Sequence, residues 1–284
     1  MHEHGKRQAL ASNRAVRGFS CVVAALHLLG SQPGLAAIKP LQPTGGWGVG
    51  VEKGMCVARR DFGLDRDRVT LQLSLNTFGP DGILKIIEAS RRDEHTTGDG
   101  SIEAGGNSYR AEFTRYPSTT FVALETSFGL KPEVLSAVET APNVTLSAGR
   151  QIRAVVDARI GAAAQAIRTC VLSQLKIWGI DPQAVAAIAK PAEPAPDVAR
   201  WITPDDYPNA AIKARVQGEV IMLWSIDESG RAGDCRVIHS SGSALLNTAS
   251  CATVMRRARY APALDKEGRP IRSWSTRQVV WKLF

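Results

Sequence analysis

Beyond residue 36 the side chains with intrinsic reactivity near neutral pH are few: Cys56, Cys170, Cys235 and Cys251, with His95 and His239. His239-Ser240-Ser241-Gly242 sets a base beside a hydroxyl, the first requirement of nucleophilic catalysis. Adjacent residues of a strand point to opposite faces, however, and the chain has no Gly-x-Ser-x-Gly elbow and no acid placed by motif to orient the imidazole. The serines read instead as a hydroxyl cap for a following helix. His95 sits in the polar stretch 91–97 and reads as a solvated side chain. Asp205-Asp206 reads as the acidic start of a helical turn rather than an acid/base pair. Gly46, Gly48, Gly50 and Gly54 lack the Gly-Lys-Ser/Thr ending of a phosphate loop, and the cysteines lack zinc-ligand spacing. The sequence therefore predicts no enzyme, no metal, no cofactor and no small-molecule substrate.

The cysteines acquire meaning from the first 36 residues. Lys6, Arg7, Arg14 and Arg17 precede an apolar run, 19–29, and then Gly34-Leu35-Ala36. This is the layout of a secretory signal peptide, and the run is shorter than the ~20 residues that span a bilayer. Cleavage after Ala36 is expected, with a retained inner-membrane anchor as the other outcome. Export to an oxidising compartment favours disulfides. Cys235 falls in a strand and Cys251 on the helix that follows it, so these two are expected to pair. Cys56 then joins Cys170, linking the first strand of an upstream domain to its last helix.

The elements that hold these residues divide the chain into 1–36, a β-rich domain at 45–180, a Pro/Ala linker at 187–200 and a C-terminal domain at 203–284. Alternating or short apolar runs at 68–78, 83–87, 109–113, 120–128, 144–146 and 152–156 predict a mostly antiparallel β domain, with turns at Asp99-Gly100 and Gly105-Gly106-Asn107. A helix over 158–178 sets Ile160, Ala164, Ile167, Val171, Leu175 and Trp178 on one face and is expected to close that sheet. The C-terminal part reads as a hairpin, 218–226 and 231–239, and a helix to about 258 with Ala244, Thr248, Cys251, Met255 and Ala258 inward. A last strand over 271–283 completes an α+β fold with three antiparallel strands and helices on one face.

Between 207 and 284 the segments YPxxA from Tyr207, GEVxxxxxIDxxG from Gly218, VIxSSG through Ser240, Ser241 and Gly242, MRRARYAP ending at Pro262, and VVWKLF follow in order. Together they resemble the TonB C-terminal domain; Tyr207, Pro208, Gly218, Ser240, Ser241, Gly242 and Pro262 carry the match. The resemblance implies a periplasmic protein of a Gram-negative envelope. Its C-terminal domain would pair with a short extended segment, the TonB box, of an outer-membrane transporter, and a proton-driven inner-membrane motor complex would supply the work. The alternative is a soluble periplasmic interaction or scaffold protein that keeps the module without energy transduction. The formal charge of +8 is concentrated outside 37–199, which holds eighteen basic and eighteen acidic residues, and no nucleic-acid motif accompanies it.

The binding edge is expected in the last strand. Residues 219–226 are apolar on both faces, as a central strand is. Thr276, Arg277, Gln278, Val279, Val280, Trp281, Lys282 and Leu283 mix charged and apolar side chains, the composition of an exposed edge. The resemblance assigns box recognition to this same strand.

Overall fold

The structure, a computed structural model, describes residues 38–91, 94–118 and 122–283; the expected signal or anchor segment lies outside them. Residues Ile38–Phe284 form one compact unit. Its first part carries β1 (Gly48–Glu52), β2 (Met55–Phe62), β3 (Val69–Leu75), β4 (Gly82–Ala89), β5 (Thr96–Ala104), β6 (Asn107–Pro117) and β7 (Ala123–Leu130). These are followed by α1 (Pro132–Thr140), β8 (Val144–Ala148), β9 (Gln151–Val155) and α2 (Ile160–Ile177). The strands form a single antiparallel sheet in the order β1-β2-β3-β4-β7-β6-β5-β8-β9.

The ends of this sheet meet. Leu41 donates its N–H to Ala154 O (2.8 Å) and accepts from Val156 N, while Gln42 O accepts from Gly63 N and Thr44 N donates to Asp61 O. The segment 41–44 thus bridges β9 to the end of β2 and closes eight strands into a ring, with β1 as an outer flap. Alternation then decides what lies inside. Leu71, Leu73, Leu84, Ile86, Ile102, Phe113, Phe128 and Leu146 are all buried in one cluster. Ile160, Ala163, Ala164 and Ile167 of α2 join the same cluster, because alanines at this spacing let the helix approach the strands closely.

Two expectations need correction. Asp99-Gly100 is not a turn but lies within β5; a Cβ on Gly100 would sit 2.2 Å from Ser147 O, so the glycine is there for close strand approach. The turn is made by Gly105 and Gly106, whose φ angles are +58° and +81°. Helix α1 was not expected; Pro132 starts it and Val134, Leu135 and Val138 are buried.

The second part holds α3 (Pro182–Ala186), β10 (Glu193–Pro194), α4 (Asn209–Lys213), β11 (Gly218–Ile226), β12 (Ala232–His239), α5 (Ala244–Arg257), β13 (Tyr260–Ala261), β14 (Ala263–Leu264), β15 (Pro270–Ile271) and β16 (Ser273–Trp281). A three-stranded antiparallel sheet runs β12-β11-β16. The Pro/Ala stretch 187–200 pairs with the C-terminal part through its backbone. Lys190 exchanges backbone hydrogen bonds with Leu264 (3.0 and 2.9 Å), Ala195 N donates to Arg259 O, and β10 pairs with β13. Its prolines offer no N–H, but the intervening residues do, and those are the ones used.

β11 is apolar on both faces because both are covered. Val220, Met222, Trp224 and Ile226 pack with Leu246 and Val254 of α5, and with Trp201 and Trp281. On the opposite face Leu223 packs with Phe78, Leu175, Trp178 and Ile180 from the first part of the chain. Each fully buried side chain of this size contributes about 1.5–3 kcal/mol, so the strand ties the two parts together.

Candidate functional site

β16 lies at the end of the three-stranded sheet, paired with β11 from Gly218↔Trp281 to Ile226↔Ser273 without a register shift. An antiparallel strand turns alternate N–H and C=O pairs to alternate sides. The β11–β12 hairpin sets the phase: Asp227 N donates to Arg231 O, so Ile226, Trp224, Met222 and Val220 turn their backbone groups toward β16. Their partners Ser273, Ser275, Arg277 and Val279 therefore face β11. Leu283 N agrees with this phase, since it donates to the Gln217 side chain beside β11 (2.9 Å). The backbone groups of Trp274, Thr276, Gln278 and Val280 point the other way, to an edge where no backbone hydrogen bond is formed among the described residues.

The expected edge residues divide by side chain. Val279 and Trp281 face α5 in the core, and Arg277 reaches over to donate to Val198 O (2.9 Å). Thr276 is partly exposed, while Gln278 and Val280 are exposed, the valine at 60%. Lys282 and Leu283 fall beyond the strand, which ends at Trp281.

The family-motif residues brace this strand from inside. The Tyr207 hydroxyl donates to Val216 O (2.6 Å), and its ring meets Trp281 edge to face with centroids 5.1 Å apart. Pro208 precedes α4 with φ −64°, the value its ring imposes. Gly218 is a packing glycine: a Cβ there would lie 2.8 Å from Ser241 Cβ and from Ser241 O. Gly242 takes φ +82°, and Pro262 lies between β13 and β14, past the end of the helix.

The hydroxyl cap differs from expectation. Ser243 flanks α5 but makes no side-chain cap bond. Asn247 reaches back instead: Oδ1 accepts from Ser241 N (3.1 Å) and Ser241 Oγ (3.0 Å), and Nδ2 donates to Ser240 Oγ (2.7 Å). The serine pair is thus held by one amide a turn inside the helix, and His239 plays no part.

The inward face of α5 is also rotated from the expected stripe. Of that stripe Ala258 is buried and Cys251 packs against the core, but Ala244, Thr248 and Met255 are exposed, and Leu246, Ser250, Thr253 and Val254 are buried instead. The sequence misled because the central inward residue is a serine. Ser250 Oγ donates to Leu246 O (2.8 Å) and accepts from Trp281 Nε1 (2.9 Å), satisfying the only polar atom of the tryptophan that ends the edge strand. A serine within a helical pattern reads as solvent-facing, so no sequence signal marked it.

Charge is placed around the helix end. Arg257 donates to Asp206 Oδ2 (2.5 Å) and Arg256 lies 3.5 Å from Oδ1. Asp206 also accepts from Thr203 N and Oγ1 in a capping box. Burial pushes its carboxyl up, but the hydrogen bonds from Thr203 and Arg257 outweigh burial and hold it below the usual aspartate range. Burial pushes the Tyr260 phenol up, partly opposed by Ser275 and Trp224.

Both disulfides are formed. Cys235 of β12 joins Cys251 of α5 with Cα atoms 5.6 Å apart, and Cys56 of β2 joins Cys170 of α2 at 6.0 Å. Among the described residues no group of His, Cys, Asp and Glu could hold a metal ion, and no helix is long and apolar enough to cross a membrane. No curated protein matches the chain. Residues 203–283, the segment that contains the open-edged sheet, α5 and the Tyr207 brace, match the family described as the Gram-negative bacterial TonB protein C-terminal.

Proposed function

We propose that this is a periplasmic TonB-type protein that binds a segment of a TonB-dependent outer-membrane transporter by strand addition along β16, and that it couples inner-membrane energy to transport through that contact. The observation that carries the reading is the row of outward backbone groups at Thr276, Gln278 and Val280 in a domain matching the TonB C-terminal family. An extended peptide beside this edge would draw its affinity from main-chain hydrogen bonds and its specificity from side chains meeting Gln278 and Val280. The signal or anchor at 1–36 and the inner-membrane motor belong to this proposal, as does the division into a β-rich domain and a TonB-type domain.

Proline at Gln278 or Val280 removes one outward N–H while leaving the β11 ladder whole. Calorimetry with peptides copied from the N-terminal segments of TonB-dependent transporters tests the reading. Both variants should lose binding with folding retained in circular dichroism, and unchanged affinity in both would remove β16 as the site.

One observation favours the second reading, a scaffold protein without energy transduction. The Pro/Ala stretch is folded onto the C-terminal part, and Phe78 and Trp178 pack on the sheet through Trp274 and Leu223. A transducer that must span the periplasm needs a spacer, and this stretch is used for packing.

A further inference from the structure

The ring of strands is filled unevenly. Continuing each inward row of side chains past the apolar cluster leads from Leu84 and Ile86 to Glu88, from Phe113 to Arg115, from Phe128 to Thr126 and from Leu146 to its β9 partner Arg153. One end of the ring is therefore lined with charge. Arg115, whose side chain is 11% exposed, donates to Thr126 Oγ1, Glu94 Oε1, Ala148 O and the Gln151 amide oxygen. Glu88 accepts from Arg153 Nε (2.7 Å) and from Gln151.

Stability does not call for this arrangement. The pairs are only partly buried, Arg153 at 37% and Glu94 at 32% side-chain exposure, so the desolvation of each ion offsets much of what the pairing returns. A cavity of about 1240 Å³ opens at this end, lined among the described residues by five arginines against three carboxylates. Arg115 and Arg153 are committed to Glu94 and Glu88. Arg66, in the turn between β2 and β3, and Arg150, between β8 and β9, line the same cavity and are exposed. Neither makes a hydrogen bond or ion pair among the described residues.

We infer that this charged mouth is a binding site for a small organic anion, carboxylate or phosphate, which Arg66 and Arg150 engage at the rim above the Arg153–Glu88 pair. The guanidinium fork suits both headgroups, and the site is concave, which fits a small molecule rather than a flat surface. The fixed Glu88 carboxylate below would accept a hydroxyl or amine of the same ligand. This inference is independent of the β16 reading.

Calorimetry on the full-length protein at low ionic strength, with citrate and inorganic phosphate as probes, separates the two headgroup sources. The Arg66→Ala/Arg150→Ala variant should bind the preferred probe at least about tenfold more weakly, since each guanidinium supplies a charge-assisted hydrogen bond. A Lys213→Ala/Lys266→Ala variant, equal in charge, should bind as the parent does. In the unaltered protein, amide shifts on adding the probe should centre on Gln151, Arg153 and Glu88. No saturable binding of either probe overturns the inference, as does binding that survives loss of Arg66 and Arg150 or shifts confined to other strands.

Discussion

Replacing Ser250 by alanine removes one oxygen atom from a site with no solvent access, and the consequence is set by what that atom bonds. Its acceptance of the Trp281 Nε1 proton at 2.9 Å is the larger matter, because Trp281 is only 4% exposed and the indole has no other acceptor among the described residues. Leu246 O, the other partner, keeps its place in the helix ladder. The variant thus leaves one buried donor unpaired, a loss of about 1–3 kcal/mol, with a small cavity in addition. Urea unfolding followed by tryptophan fluorescence reads this directly, and a cycle with Trp281→Phe isolates the pair. Phenylalanine carries no donor, so it should cost less in the Ser250→Ala background than alone, with a coupling of about 0.5–3 kcal/mol. A coupling indistinguishable from zero would mean that the bond does not form in solution and that Trp281 is held by packing alone.

Removing the Cys235–Cys251 bond with a double serine variant should lower stability by about 3 kcal/mol in denaturant titrations, given a sequence separation of 16, while Cys56–Cys170 remains intact in peptide mapping. Gly230→Ala should be more damaging than an ordinary turn substitution, by more than about 2 kcal/mol: φ is +78° and the added carbon would lie 1.9 Å from Tyr260 O, so the thermal midpoint should fall by several degrees. The folded-state pKa of Asp206 is lowered, so its contribution is present above the unfolded value near 3.8 and is lost as the pH falls through the lower folded value. Asp206→Asn should therefore flatten the acid limb of a stability profile below about pH 4 and leave its neutral side lower by a constant amount.

What was legible in the sequence follows periodicity. Gly218–Ile226 has the same limits in the sequence reading and in the structure, because a continuous apolar run between a glycine and a polar turn admits one strand. The reason for its two apolar faces was not legible, since Phe78 and Trp178, which cover one of them, lie far away in sequence. Cys235 and Cys251 were placed by the adjacency of a strand and the helix that follows it, and Cys56 and Cys170 were the two cysteines that remained. Ser250, Asn247 and Arg115 were missed for one reason: each is a polar residue whose partners come from other elements, and local pattern assigns such residues to solvent. The closing segment 41–44 was hidden for a related reason, as its pairing is made by backbone groups that residue type does not reveal.

The most direct test of strand addition on β16 is amide hydrogen exchange, residue by residue, with and without a transporter-derived peptide. Arg277 and Val279 are already paired to β11, so their exchange should be slow in both states. Gln278 and Val280 face the open edge, so theirs should be fast in the free protein and strongly slowed when peptide is bound. Peptide binding without protection of Gln278 and Val280, or with new protection along β12 at the other edge, would contradict the account.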